Sequence, residues 1–201
     1  MSNPVVISAA VEGLVDEAVV RKVIAHAGGE AGPVYGKNGK PALRRQIQGY
    51  NNAARHSPWL VLVDLNTDAD CAPPMRESWL TDPAPLLCFR VAVRQVEAWL
   101  MADRESLASY LGVAQATIPQ DPETLPNAKA TMVNLARRSR RRVIREDMVP
   151  REQSRRPVGP AYASRLIEYV QTKWRPEPAA ARSESLRRAI DCLRRLTEVA
   201  R

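Results

Sequence analysis

Apolar residues along this chain fall into two patterns. The first is a short run without alternation: Trp59-Leu60-Val61-Leu62-Val63 ends abruptly in Asp64, and Val5-Val6-Ile7-Ser8-Ala9-Ala10-Val11 ends in Glu12-Gly13. Runs this short, rich in Val, Leu and Ile and flat in polarity, predict strands covered on both faces, as in the parallel sheet of an α/β domain. Leu86 to Val93 predicts a third such strand. The second pattern has helical spacing. Asp16 is the expected N-cap of a helix through Val19, Val20, Val23, Ile24 and Ala27, with Gly28-Gly29 as its stop. Pro41 suits the first position of a helix that continues from Leu43 to Arg55. Further helices are expected from Met75 to Leu80, from Arg94 to Asp103 and from Arg104 to Leu111, the last stopped by Gly112.

Beyond Gly112 the pattern changes. Residues 113–127 carry Pro119, Pro122 and Pro126 and read as a loop or linker. Helices then follow over 128–136, over 161–174 with Leu166, Tyr169, Val170 and Trp174 on one face, and over 182–200 with Leu186, Ile190, Leu193 and Leu196 as a stripe and Ser183 as N-cap. The expected organisation is an α/β domain over 1–112 and a helical, basic region over 113–201 packed on it. The segment Gly32 to Lys40 (GPVYGKNGK) reads as a glycine-punctuated turn carrying Lys37 and Lys40. It lacks the GxxxxGK[ST] spacing of a P-loop, although lysines on a Gly-rich backbone can still meet phosphates.

Charge sharpens this division. The chain has 201 residues, 45% of them hydrophobic, and a net charge of +8. From Lys129 onward there are 19 Lys and Arg against 8 Asp and Glu, whereas the first 128 residues hold 11 against 14. Nine arginines fall between Arg137 and Arg156, including Arg140, Arg141 and Arg142. Such a run is either a solvated basic loop or a phosphate-gripping surface. An acidic front and a basic back suit an enzyme that holds a cation against a polyanion. Cys71, Cys88 and Cys192 have no metal-ligand spacing and no pairing logic, so reduced thiols and a cytoplasmic location are expected. No apolar stretch approaches the roughly 18 residues of a membrane span, and no secretory signal pattern opens the chain, so no membrane partner is expected.

The candidate chemistry lies where the strands end. In parallel sheets ligands sit beyond the carboxyl ends of the strands. Glu12 and Asp64 both close strands, and Asp68 and Asp70 follow within the loop after Asp64. Carboxylates gathered in one place repel one another unless a positive charge lies between them, and oxygen ligands favour Mg²⁺ or Mn²⁺. The alternative is that Asp64 caps the next turn and that Asp68 and Asp70 are solvated turn residues. Glu97, one turn into a helix that follows a strand, is either a third acid at the same edge or an ordinary first-turn acid meeting the helix dipole.

Taken together, Glu12-Gly13, the aspartate cluster opened by Asp64, and Val96-Glu97-Ala98-Trp99-Leu100-Met101-Ala102-Asp103 resemble Toprim-type proteins related to the OLD-family nucleases. The resemblance covers roughly Val5 to Gly112. It implies a Toprim-like (Rossmann-like) α/β fold with a mostly parallel sheet, and Mg²⁺ held by the glutamate of the first strand and an Asp-x-Asp pair. The activity it implies is cutting of DNA or RNA, in a phage-defence setting with an ABC-type ATPase as partner. On this resemblance Glu12, Asp64 and Glu97 would be catalytic, with Asn66, Asp68 and Asp70 as further metal ligands, and Lys37, Lys40 and Arg140 to Arg142 would meet nucleic acid. One departure stands out: Asn66 occupies the second acidic position of Asp-x-Asp. Either Asp68 or Asp70 compensates, or the chain is a degenerate, non-cutting module that binds an ATPase or nucleic acid.

Overall fold

The computed structural model describes residues 4–200. Strands β1 (Val6–Val11), β2 (Glu30–Gly36), β3 (Trp59–Asp64) and β4 (Leu87–Ala92) form an all-parallel sheet in the order β2-β1-β3-β4. Around it lie α1 (Leu14–His26), α2 (Lys40–Ala53), α3 (Ala72–Trp79), α4 (Val96–Ala102) and α5 (Arg104–Leu111). The chain continues through α6 (Ala128–Arg137), α7 (Arg142–Met148), α8 (Tyr162–Thr172), α9 (Pro176–Ala180) and α10 (Glu184–Val199). The fold is α/β with a Rossmann-like layout.

The flat hydrophobicity of the strands follows from burial on both faces. In β3 all six residues are buried: Leu60 and Leu62 join a core with α1, α4 and α10, while Trp59, Val61 and Val63 join a second core with α2 and α3. Removing each such apolar side chain from water is worth roughly 1.5–3 kcal/mol, so both faces favour apolar residues up to the terminal Asp64. The first core runs on through α6 to α10, where Leu166, Tyr169, Val170, Leu186, Ile190 and Leu193 are all buried. The carboxyl-terminal helices therefore share a continuous apolar interior with α1 and β1.

The connections fix where a ligand can sit. From β1 the chain crosses by α1 to β2 on one side, then returns by α2 to β3 on the other side of β1. The helices that follow the neighbouring strands β1 and β3 thus leave toward opposite faces, α1 into the first core and α3 into the second. The reversal opens a crevice at the carboxyl ends of β1 and β3, the usual ligand position of such sheets.

Several expectations need correction. Residues 30–36 are the edge strand β2 rather than part of a turn. Its signal was masked by Gly32 and Pro33, which lie where the β1–β2 register shifts, since Ile7 pairs with Ala31 but Ala9 with Val34. Gly36 is obligatory: its φ is 86°, and a Cβ there would stand 2.3 Å from the Val11 carbonyl oxygen. Asp16 is not the N-cap of α1; Gly13 is, and the Asp16 carboxylate accepts from the Gly13 N–H at 2.7 Å. The arginine-rich stretch is not wholly a loop, because it contains α7, anchored by buried Ile144 and Met148. Helix α9 was not anticipated, and α4 begins at Val96 rather than Arg94.

Candidate functional site

Glu12 follows the last residue of β1 and Asp64 is the last of β3, on neighbouring parallel strands. The two are joined directly: Glu12 Oε1 accepts a hydrogen bond from the Asp64 N–H at 2.8 Å. Asp64 Oδ1 in turn accepts from the Val96 N–H, at the start of α4, at 3.0 Å. The next residue, Glu97, is only 2% exposed and points back toward the same place. One of its oxygens, Oε1, accepts from the Tyr162 hydroxyl at 3.1 Å and lies 3.6 Å from Lys129 Nζ. The other, Oε2, is buried with no partner among the described residues. Asp16, reaching back from the first turn of α1, completes four carboxylates around one cavity of about 440 Å³.

Electrostatics shows how strongly these acids act on one another. Burial, then the charges of Glu97 and Glu12, pushes Asp16 up to about 7. Burial, then Asp16, Glu97 and Glu12, holds Asp64 well above the usual carboxylate range, and burial raises Glu12. Burial disfavours the Lys129 ammonium, yet Glu97, Asp64 and Asp16 more than offset this and raise its pKa. Burial and Glu97 likewise keep the Tyr162 hydroxyl protonated far above its ordinary range. Lys129 in the cavity and Lys40 at its edge, 3.9 Å from Glu12, stand against four acids, which leaves more acids than bases.

The remaining sequence candidates do not line the cavity. Asn66 has a left-handed backbone (φ 51°), and its Oδ1 accepts from Gln95 Nε2 at 3.0 Å. Gln95 spends its own carbonyl oxygen on the Lys129 N–H at 2.9 Å, so it ties the loop after β3 to the start of α6. Asp68 is exposed and paired with Lys40 Nζ at 2.6 Å. Asp70 is exposed and does not line the cavity. Lys40 also donates to the Asp64 carbonyl and stands 3.9 Å from Glu12 Oε1, so it braces the acidic edge from below the loop. Lys37 is paired with Glu17 at 3.0 Å.

The arginines divide in a similar way. Arg140, Arg141 and Arg142 follow the carboxyl end of α6, which lies about 12 Å along the helix from Lys129 near its start. Arg141 donates to the Tyr110 carbonyl at 3.1 Å and Arg142 pairs with Glu146 at 2.6 Å. The wall of the cavity comes instead from Pro157 and Val158, which directly follow Arg155 and Arg156. Gly159 holds that wall in place, since a Cβ there would stand 2.4 Å from the Asp147 carbonyl oxygen.

Sequence reasoning missed three residues of this site. Asp16 stands in the sequence as an acid four residues beyond Glu12, where it has the pattern of a helix cap. Lys129 and Tyr162 carried no local signal, because tertiary packing of α6 and α8 alone brings them to the cavity. Among the described residues no three or more His, Cys, Asp or Glu side chains are arranged to enclose a metal ion. Comparison of the chain with protein-family models, with curated proteins and with solved structures finds no match.

Proposed function

We propose that this protein is a divalent-metal-dependent phosphodiesterase of Toprim-like type that hydrolyses nucleic acid. The observation that supports it best is the convergence of Glu12, Asp16, Asp64 and Glu97 on one cavity at the sheet's switch point, with the buried Glu97 Oε2 left unanswered. These oxygen donors and this excess of acids over bases fit a hard cation. Mg²⁺ commonly takes only one or two protein carboxylates and fills the rest of its shell with water and substrate phosphate, so a closed protein cage is not required. Glu12 and Asp64 would hold the ion, with Asp16 and Glu97 beside it. Bound there, the cation would supply Lewis acidity and a more acidic water.

The chain's own residues have distinct tasks in this reading. Lys129 places a fixed positive charge beside the carboxylates, suited to a phosphate oxygen that gains charge in the transition state. Asp16, with a pKa near neutrality, can accept a proton from an attacking water. Tyr162 donates to Glu97 and so fixes that carboxylate's orientation. Arg151, Arg155 and Arg156, leading into the cavity wall, would grip flanking phosphates.

A second reading, a non-catalytic module that binds nucleic acid or an ATPase, is favoured by the engagement of Asn66 with Gln95 rather than with the acids. The ATPase partner and the phage-defence setting rest on the family resemblance alone. A reducing, cytoplasmic environment fits the unpaired Cys71, Cys88 and Cys192. No helix among the described residues is long and apolar enough to cross a membrane.

Thermal unfolding with added Mg²⁺ or Mn²⁺ tests the metal site. Saturable stabilisation is expected in the parent, because a ligand bound only to the folded state raises its stability by mass action. It should be lost in Asp64→Asn, which keeps the acceptor for Val96. Equal stabilisation of the variant, or none in the parent, would refute the reading.

A further inference from the structure

A second cavity lies along the free edge of β4 between α3 and α10, and its volume is about 230 Å³. Arg76 from α3 and Arg90 from β4 both line it. Neither makes an ion pair among the described residues, and the Arg76 Nε is buried without any hydrogen-bond partner. Burial and the neighbouring Arg90 charge together lower the Arg76 pKa, the mark of two cations facing each other.

Two acids, Glu123 and Glu184, also line the cavity together with Arg188, but neither acid pairs with Arg76 or Arg90. Glu184 is taken up by Arg187 and Arg188, at 2.7 Å each. Glu123 Oε1 accepts from the Ser183 hydroxyl, the Ser185 N–H and the Ser185 hydroxyl. The two arginines also act, as smaller causes, on the Cys192 thiol. Its hydrogen bond with Cys88, then Arg90, Arg195 and Arg76, pulls it down to about 6 in spite of burial.

The backbone adds a donor. Ala92 turns its carbonyl to β3, where it accepts from Leu65, so Val91 and Val93 turn outward. Val93 gives its N–H to Ser185, which leaves the Val91 N–H directed at the open edge that lines the cavity.

We propose that this pocket binds the phosphoryl group of a small monophosphate, gripped by Arg76 and Arg90 with the Val91 N–H as a further donor. Two guanidinium groups match a tetrahedral oxyanion in geometry and charge. The volume lies below the usual range for drug-sized ligands and suits one phosphoryl group with a small substituent. The site is separate from the four carboxylates, and its occupancy does not depend on the proposed hydrolysis.

The test titrates the full chain with inorganic phosphate and, in a separate arm, with a nucleoside monophosphate, following thermal unfolding and phosphorus NMR line width. Saturable binding is expected, roughly tenfold weaker in Arg90→Gln and in Arg76→Gln, and unchanged in Asp64→Asn and Cys192→Ser. Tighter binding of the nucleotide than of phosphate would assign the natural ligand to the nucleotide source, and the reverse order to free phosphate. Without ligand, Arg76→Gln should be at least as stable as the parent, because it relieves the repulsion with Arg90. No saturable binding, or binding that survives both arginine substitutions, would overturn the proposal. So would an Arg76→Gln protein that unfolds more easily than the parent, because Arg76 would then serve the fold itself.

Discussion

The Glu12 carboxylate accepts the backbone N–H of Asp64 at 2.8 Å, so the acid that ends one strand fastens the acid that ends its neighbour. That bond makes Glu12 both a candidate ligand and a brace for the loop after β3. Glu12→Gln keeps an acceptor, whereas Glu12→Ala leaves the Asp64 N–H without one. The alanine variant should therefore be less stable than the glutamine variant by about 1–3 kcal/mol in denaturant unfolding. Equal stabilities would mean that water replaces the carboxylate without cost.

The acidic cluster should make the metal-free protein less stable as pH rises. Asp16 ionises at about 7 when folded but near its ordinary value of 3.8 when unfolded, so the folded state holds the extra proton. Its contribution is fully present below about pH 4 and is lost as pH climbs through 7. Asp64, also raised, acts in the same direction. At pH 8 without divalent ions, Asp16→Asn should therefore be more stable than the parent by roughly 1–4 kcal/mol, a tenfold change in protonation constant being worth about 1.4 kcal/mol. The gain should vanish near pH 4. A variant less stable than the parent at both pH values would show that Asp16 serves the fold through Gly13 instead.

The fold was legible in the sequence wherever burial was uniform. Trp59 to Asp64 declared itself a strand because both faces are covered, and Gly112, with φ 70°, ended α5 as a left-handed cap does. Glu12 and Asp64 could be placed at one edge because both close strands of a parallel sheet. Strand β2 was hidden because an edge strand with a bulge tolerates Gly32 and Pro33, which elsewhere mark turns. Lys129 and Tyr162 were hidden for another reason: they lie 117 and 150 positions beyond Glu12 in the chain, and only helix packing unites them.

The fourth acid of the cluster is Asp16, not Asp68 or Asp70. Asp70→Ala should therefore leave divalent-metal affinity unchanged, and Asn66→Asp should not improve it, since residue 66 is directed at Gln95. Asp16→Asn should weaken it. Calorimetric titration with Mn²⁺ decides the matter, and tighter binding by Asn66→Asp would restore residue 66 to the metal shell.

Asp103 joins the two halves of the chain. Buried at 1% exposure, its carboxylate accepts from the Arg175 N–H at 3.0 Å and from two guanidinium nitrogens at 3.0 and 2.7 Å. The half-exposed guanidinium can turn to water, but the backbone donor depends on that acceptor. Asp103→Ala should lower stability by about 1–3 kcal/mol and Arg175→Ala by less. Equal losses in the two variants, measured by urea unfolding, would mean that the ion pair itself carries the effect.

If nucleic acid enters past Pro157 and Val158, the arginines that matter are those nearest that wall. Replacing Arg151, Arg155 and Arg156 should flatten the salt dependence of nucleic-acid affinity by about 2–3 units of log slope, and replacing Arg140, Arg141 and Arg142 should flatten it less. The opposite ranking would return phosphate contact to the far end of α6.

The most direct test of the account is a cleavage assay: end-labelled DNA and RNA incubated with the purified chain and Mn²⁺ or Mg²⁺, beside Asp64→Asn and Lys129→Met. Metal-dependent cleavage by the parent, abolished by Asp64→Asn and reduced about 10²-fold or more by Lys129→Met, is the predicted result. Cleavage that persists in Asp64→Asn, or a parent that binds the metal and cuts neither polymer, would contradict it.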